Sequence, residues 1–360
     1  MTPASGFGTL GPVRLPDSMP VAVYRGTNAI SLETRPVPVP GSGEVVVEVS
    51  HCGVCGSDLH FVIEGWGRPG AIGGHEYSGR VAAVGPGVAG WAVGDPVVGG
   101  AMVGCGTCVA CRAGRPSLCR ARSSPGVGDF QGAFAGFVSC PAAELVRVPE
   151  GLPLRTAALT EPLAVALHGI TAAALAPGQR ALVTGAGPIG LLTVAALRAR
   201  GVDDVTVSEP APLRRELARN VGAKETVTPD QLGRPGMPFD LVDQPFDAAL
   251  ECSGRAEAFE AALANLDRGG RLIVVGAGMQ RPRLDQLRVL LNELVVTGAY
   301  NYDAGGFDEA VELLASGALP TDLLIEPDDV PLSGLLDAMQ RLAAGDLAGK
   351  VLVVPEKGRP

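Results

Sequence analysis

Short β-branched runs dominate the first 150 residues. Val45 to Val49, Arg80 to Val84, Asp95 to Val98, Phe137 to Cys140 and Leu145 to Val148 alternate with turns rich in glycine and proline, and more than half of the 50 glycines fall in this stretch. Many short strands separated by such turns predict a small barrel or sandwich. From about Leu159 the texture changes to apolar runs of strand length alternating with segments of helical period. Strands are expected at Arg180 to Thr184, Val205 to Val207, Glu225 to Val227, Ala248 to Cys252, Leu272 to Val275 and Leu294 to Thr297. Helical periods lie between them: Ile189, Leu192, Ala196, Leu197 and Arg200 before Gly201; Leu213, Leu217 and Val221 before Gly222; and Ala256 to Leu266. Six strands joined by helices complete a doubly wound parallel sheet, so the fold class is α/β. After Tyr300 the pattern predicts helices near Phe307 to Ser316 and Ser333 to Ala344 and a last strand, Lys350 to Val354, in a tail that returns to the N-terminal β unit.

The first strand of the second half runs into Gly185-Ala186-Gly187-Pro188-Ile189-Gly190, which opens a helix. In that context the glycines permit a tight turn and close approach of a pyrophosphate, and the helix N-terminus supplies N–H groups and positive dipole. Glu209 stands 19 positions beyond Gly190 at the tip of the next strand, where it can accept from ribose hydroxyls. A carboxylate there repels a 2′-phosphate, which favours NAD over NADP. Arg214 and Arg215 on the following helix weigh the other way, and the bland reading of both is a solvated helical face. Cys252, Val275 and Gly276 end the fourth and fifth strands, at the crevice where such sheets take ligands.

Two cysteine-bearing stretches carry metal chemistry. Cys55-Gly56-Ser57-Asp58-Leu59-His60 is answered by Gly74-His75-Glu76. A thiolate, an imidazole and carboxylates in so short a span suit a zinc site that keeps one position open as a Lewis acid. Cys55 and His75 are the candidate ligands. The Ser57 hydroxyl can hand on a proton, and His60 is the nearest group able to release it near neutral pH. Asp58 is expected to lie behind the ligands and fix the tautomer of His75. A redox dithiol of Cys52 and Cys55 is the competing reading, and it leaves Ser57, Asp58, His60 and His75 unexplained. Between about 104 and 120, Cys105, Cys108, Cys111 and Cys119 have the spacing of a closed four-thiolate zinc site, which is structural. The small and polar residues between them would build no core.

Composition narrows the partners. A net charge of −9 without a basic run argues against nucleic acid or an anionic membrane. The substrate is expected to be a small molecule. The eight cysteines do not form a disulfide framework, the N-terminal twenty residues have no apolar signal-like core, and Leu159 to Ala176 is broken by Glu161, Pro162 and His168, so a cytoplasmic protein is expected.

In that order, the Cys55 stretch, the Gly-His-Glu triplet, the four-cysteine lobe and the glycine loop resemble the zinc-dependent medium-chain alcohol dehydrogenases, from about Val21 onward. The resemblance implies a GroES-like catalytic domain over 1–162 and 301–360 with a Rossmann domain over 163–300 inserted in it. It implies Cys55 and His75 as zinc ligands with Glu76 beside the metal, Ser57 and His60 as a proton relay through the cofactor ribose, and a second, structural zinc. Glu161-Pro162-Leu163-Ala164-Val165 is similar to the sorbitol, butanediol and threonine dehydrogenase branch, in which the Glu binds zinc directly or through water; Glu161 is accordingly the third metal candidate. Sorbitol dehydrogenases typically carry Arg-Tyr where this chain has Asn301-Tyr302. Trp66, Phe61, Phe130, Phe134 and Tyr300 could line an apolar pocket, with core packing as the alternative. The expected activity is reversible oxidation of a secondary alcohol, a diol, polyol or related hydroxyl compound, by NAD. The alternatives are an NADPH-preferring reductase of an aldehyde or ketone and a non-enzymatic dinucleotide sensor. A homodimer or homotetramer is expected, with Leu294 to Tyr300 as a strand edge available for pairing.

Overall fold

The computed structural model describes residues 15–100, 104–121 and 131–355. The N-terminal unit is β-rich, as its short runs predict. It begins with an antiparallel pair, β1 (Ser18–Gly26) and β2 (Ala29–Pro36). After it come β3 (Glu44–Gly53), α1 (Gly56–Val62), β4 (Glu76–Val84), β5 (Pro96–Gly99), the short α2 (Val109–Arg112), β6 (Phe137–Pro141), β7 (Val146–Arg147) and α3 (Leu154–Ala157). Strand β3 is central. It pairs with β4 and β6, with two register shifts against β4, and each shift bends the strand as a curved sheet requires.

α4 (Thr160–Ala173) leads into the second unit: β8 (Arg180–Thr184), α5 (Pro188–Ala199), β9 (Asp204–Ser208), α6 (Pro212–Val221), β10 (Glu225–Val227), β11 (Phe246–Glu251), α7 (Ala256–Ala264), β12 (Leu266–Val274), α8 (Gln286–Leu291) and β13 (Val295–Gly298). These six strands are all parallel, in the order β10-β9-β8-β11-β12-β13. The continuous apolar runs have a plain cause: Ala181, Leu182 and Val183 of β8 and Ala248, Ala249 and Leu250 of β11 are buried, being covered by helices on both faces.

The tail comprises α9 (Gly306–Ala315), α10 (Thr321–Leu324), β14 (Val330–Pro331), α11 (Leu335–Ala344) and β15 (Leu352–Val354). Phe307, Val311 and Leu314 of α9 pack into the same cluster as α4, β8 and α5, whereas Leu335, Met339 and Leu342 of α11 join the core of the β unit. β15 then pairs antiparallel with β3 and closes the chain back onto it.

Candidate active site

Strand register builds the centre. At the end of β3, Gly53 is flanked by Glu76 at the start of β4 and by Leu352 of β15. Cys55, two residues past β3, therefore lies beside His75, one residue before β4, and ligating atoms of Cys55, His75 and Glu76 fall within 4.8 Å of one another. Asp58 ties the two loops together. Its buried carboxylate accepts the Cys55 N–H (2.9 Å) and the Gly74 N–H (3.3 Å), so it fixes the loops that carry the ligands. The expected tautomer-setting bond to His75 is replaced by this backbone role, with His75 sensed through charge alone.

Burial by itself would pull His75 down. Contact with the Cys55 sulfur and the charges of Asp58 and Glu161 carry it well above the ordinary imidazole value. Glu161, in the first turn of α4, lies outside the tight trio, and burial pushes its carboxyl up to about 7 against the pull of His75. The Ser57 hydroxyl oxygen is buried with no hydrogen-bond partner, which suits a group reserved for a substrate hydroxyl. These features fit a catalytic zinc held by Cys55 and His75 with a carboxylate at hand.

Lys350 was invisible to motif reasoning. Lys350 is 1% exposed, and its ammonium donates to both carboxylate oxygens of Glu76 (2.7 and 2.6 Å) and to the Val54 carbonyl (3.1 Å). Desolvation works against the ammonium, yet Glu76, Cys55 and Glu161 hold its pKa above the usual lysine range. Gly53 makes the room: a Cβ there would meet Glu76 Oε2 at 2.2 Å and Lys350 Cδ at 3.2 Å. Glu76 is thereby committed to an ion pair beside the metal site. The available signal was a single charge in the apolar run Ala348 to Val354, since a buried Lys needs a partner.

The four-cysteine lobe is assembled as expected, the sulfurs of Cys105, Cys108, Cys111 and Cys119 lying within 4.8 Å of one another. Backbone N–H groups point at them: Cys108 N to Cys105 Sγ (3.3 Å), Cys105 N to Cys119 Sγ (3.3 Å) and Ala121 N to Cys119 Sγ (3.4 Å). The Thr107 hydroxyl and the amides of Cys108 and Thr107 bring Cys105 down to about 6. The donor set fits a closed tetrahedral zinc site. The lobe docks on the segment before α9, where Asp303 accepts from Arg115 Nε and Ser117 Oγ, both at 2.6 Å.

At the nucleotide loop each glycine has its own reason. Gly185 adopts φ +91°, and a Cβ on Gly190 would strike the Gly185 carbonyl at 2.0 Å. Gly187, at the N-cap of α5, faces open space on its Cβ side, a cradle for a pyrophosphate. The Glu209 carboxylate accepts the Ala186 N–H (2.8 Å) and the Ala211 N–H (2.9 Å), which places it at the tip of β9 beside the loop. Val275 donates its N–H to the Glu251 carbonyl, and Gly276 abuts Gly254 so tightly that a Cβ would lie 2.4 Å from its nitrogen. Cys252 Sγ packs on the Thr193 hydroxyl at 3.8 Å. Arg214 leaves the cofactor set. Its guanidinium satisfies the Leu342 and Leu347 carbonyls around the end of α11, and Arg215 is the residue beside Glu209, donating to the carbonyls of Glu209 and Pro210.

The proposed aromatic pocket disperses. Phe134 is fully buried in the β-unit core, Tyr300 is exposed, and Trp66 stacks on His60. Phe61 lines a small apolar cavity with Tyr24, Phe134 and Met339; it shares His75 and Asp58 with the metal site and includes neither Ser57 nor Glu161. Phe130 lies outside the described residues. No helix among the described residues is long and apolar enough to cross a membrane.

Comparison with known proteins agrees with this geometry. Residues 41–150 match the alcohol dehydrogenase GroES-like domain and 188–316 the zinc-binding dehydrogenase domain. The chain is 35% identical to sorbitol dehydrogenase of Bacillus subtilis, over 95% of this chain and 99% of that one. It is 34% identical to L-threonine 3-dehydrogenase of Thermococcus kodakarensis, over 89% and 93%. Among solved structures, a zinc-binding dehydrogenase of Sinorhizobium meliloti bound to NADP superposes with a TM-score of 0.84 at 30% identity, covering 94% of this chain and 100% of that one. The 2R,3R-butanediol dehydrogenase of Bacillus subtilis gives 0.82 at 28%, with 94% and 100% covered. With the thiolate–imidazole centre, the four-thiolate lobe and the glycine loop at the sheet, these matches make the chain a member of the zinc-dependent medium-chain dehydrogenase/reductase family, an oxidoreductase of secondary alcohols.

Proposed function

We propose that this enzyme oxidises a vicinal diol or related secondary alcohol to a ketone, reversibly, with NAD as the hydride acceptor. The observation that carries the reading is the buried, unpartnered Ser57 hydroxyl on α1, two residues beyond Cys55 and three before His60, whose Nε2 lies 3.2 Å from the Ala277 carbonyl of the nucleotide-binding unit. Ser57 is placed to take the substrate proton and His60 to release it to solvent. Cys55 and His75, with Glu161 as the third candidate, would hold zinc, which supplies Lewis-acid polarisation of the substrate oxygen. The glycine loop and Glu209 would hold the dinucleotide, which supplies the hydride-accepting ring. Lys350 holds Glu76 in place beside the centre through a buried ion pair at 2.6 Å.

The test is nicotinamide absorbance, with NAD and NADP supplied separately, against vicinal diols, polyols, threonine and simple primary and secondary alcohols. Turnover with NAD on diols supports the reading; turnover confined to primary alcohols overturns it. A preference for NADP is the second reading, favoured by Arg215 at the Glu209 tip. We also propose a cytoplasmic protein, a reading that the free thiols of the described cysteines support. We also assign a homo-oligomer: β13 is an edge strand exposed along its length, and Leu287, Leu290 and Leu291 of α8 are exposed beside it. A monomeric mass by light scattering at micromolar concentration removes that assignment.

A further inference from the structure

After α1 the chain turns back on the helix. Trp66 N–H donates to the His60 carbonyl (3.2 Å) and Gly67 N–H to the Phe61 carbonyl (3.1 Å). The turn depends on two glycines. Gly65 adopts φ +80°, where a Cβ would also meet Thr27 Oγ1 at 2.4 Å, and a Cβ on Gly67 would meet the Tyr24 ring at 2.9 Å. The outcome is an indole laid on the His60 imidazole, ring centroids 4.5 Å apart and planes 8° from parallel. Trp66 stays 43% exposed, so core burial does not account for its position.

The edge of the imidazole is engaged as well. Its Nδ1 lies 3.0 Å from Glu64 Oε1, at ion-pair distance without hydrogen-bond alignment. Its Nε2 lies 3.2 Å from the carbonyl of Ala277, in the loop after β12. Neutral imidazole has one N–H, whereas imidazolium has two donors and a charge. Glu64 comes from the ring's own segment and Ala277 from the nucleotide-binding unit.

We propose that Trp66 and Glu64 are positioning residues for His60. The indole fixes the plane of the imidazole, the carboxylate anchors its Nδ1 edge, and together they hold Nε2 where the two units meet. The relay's last proton therefore arrives on a ring already oriented across the cleft. The relay role rests on the dehydrogenase reading, but the stack can be tested without turnover.

The chain has two tryptophans, and Trp91 lies under the Arg147 guanidinium at 4.8 Å, so Trp91→Phe leaves Trp66 as the sole reporter. Imidazolium in contact with indole quenches its emission. In the Trp91→Phe protein, emission should rise in one titration as pH goes from 5 to 8. It should stay flat once His60→Gln is added. Emission that ignores pH, or a titration that survives His60→Gln, overturns the proposal whether or not an alcohol substrate has been found. In turnover, Trp66→Ala should lower kcat about tenfold below pH 7 with the alcohol KM within about twofold, and Trp66→Phe should restore the native profile. A Trp66→Ala enzyme with the native pH–rate profile overturns it as well.

Discussion

Replacing Lys350 by Met tests the least visible part of the site. Lys350 and Glu76 are 1% and 0% exposed, and the ammonium meets the carboxylate oxygens at 2.6 and 2.7 Å. Removing one partner of a buried pair leaves the other charge uncompensated, which costs about 3–5 kcal/mol, because the carboxylate has lost water and gained nothing in exchange. The carboxylate lies so close to the backbone that a Cβ at Gly53 would meet Glu76 Oε2 at 2.2 Å. At about 2–4 °C per kcal/mol for a cooperative unit of this size, Lys350→Met should lower the unfolding midpoint by roughly 10 °C. Adding Glu76→Gln removes the orphaned charge, so the double variant should regain at least half of that loss, and the coupling energy of the cycle should be at least about 2 kcal/mol. The assay is guanidinium unfolding of the zinc-loaded protein, followed by far-ultraviolet circular dichroism, with all four members of the cycle compared. A Lys350→Met protein within about 1 kcal/mol of native, or a double variant no better than the single, refutes the reasoning.

Three further outcomes are expected. Cys55→Ala should keep the fold and the four-cysteine metal but lose the catalytic one; elemental analysis should read one zinc per chain instead of two, with turnover abolished. Glu209→Ala should relax cofactor choice by about tenfold in the NAD to NADP ratio of kcat/KM, and an unchanged ratio would remove Glu209 from ribose recognition. Glu144, whose carboxyl is pushed up to about 7 by burial, binds its proton more tightly folded than unfolded. Native stability should therefore fall as pH rises from about 4.5 to 7, and Glu144→Gln should remove that component of the slope in a series of unfolding midpoints.

Local pattern carried the sheet and the donors. Apolar runs such as Ala248 to Leu250 show strands buried on both faces, and Gly187-Pro188 shows where a helix opens, because these signals depend on immediate neighbours. Metal chemistry is equally local in the lobe, where four thiols occur within fifteen residues and their order alone selects a closed site. Asp58 was legible as a group behind the ligands, but which donors it serves depended on where Gly74 came to rest.

What sequence by itself determined, then, is the α/β class, the six strands of the nucleotide sheet and the side chains able to bind zinc and dinucleotide. Tertiary structure alone decided how distant groups meet. Lys350 reaches Glu76 across 274 positions because β15 and β4 flank the same strand at Gly53. His60 meets Ala277 across 217 positions because the two units close on one cleft. Arg214, read from its helix as a cofactor contact, instead satisfies the carbonyls of Leu342 and Leu347. Strand pairing and unit packing set these contacts, and a buried charge or an unpaired carbonyl takes whichever partner that packing brings within reach.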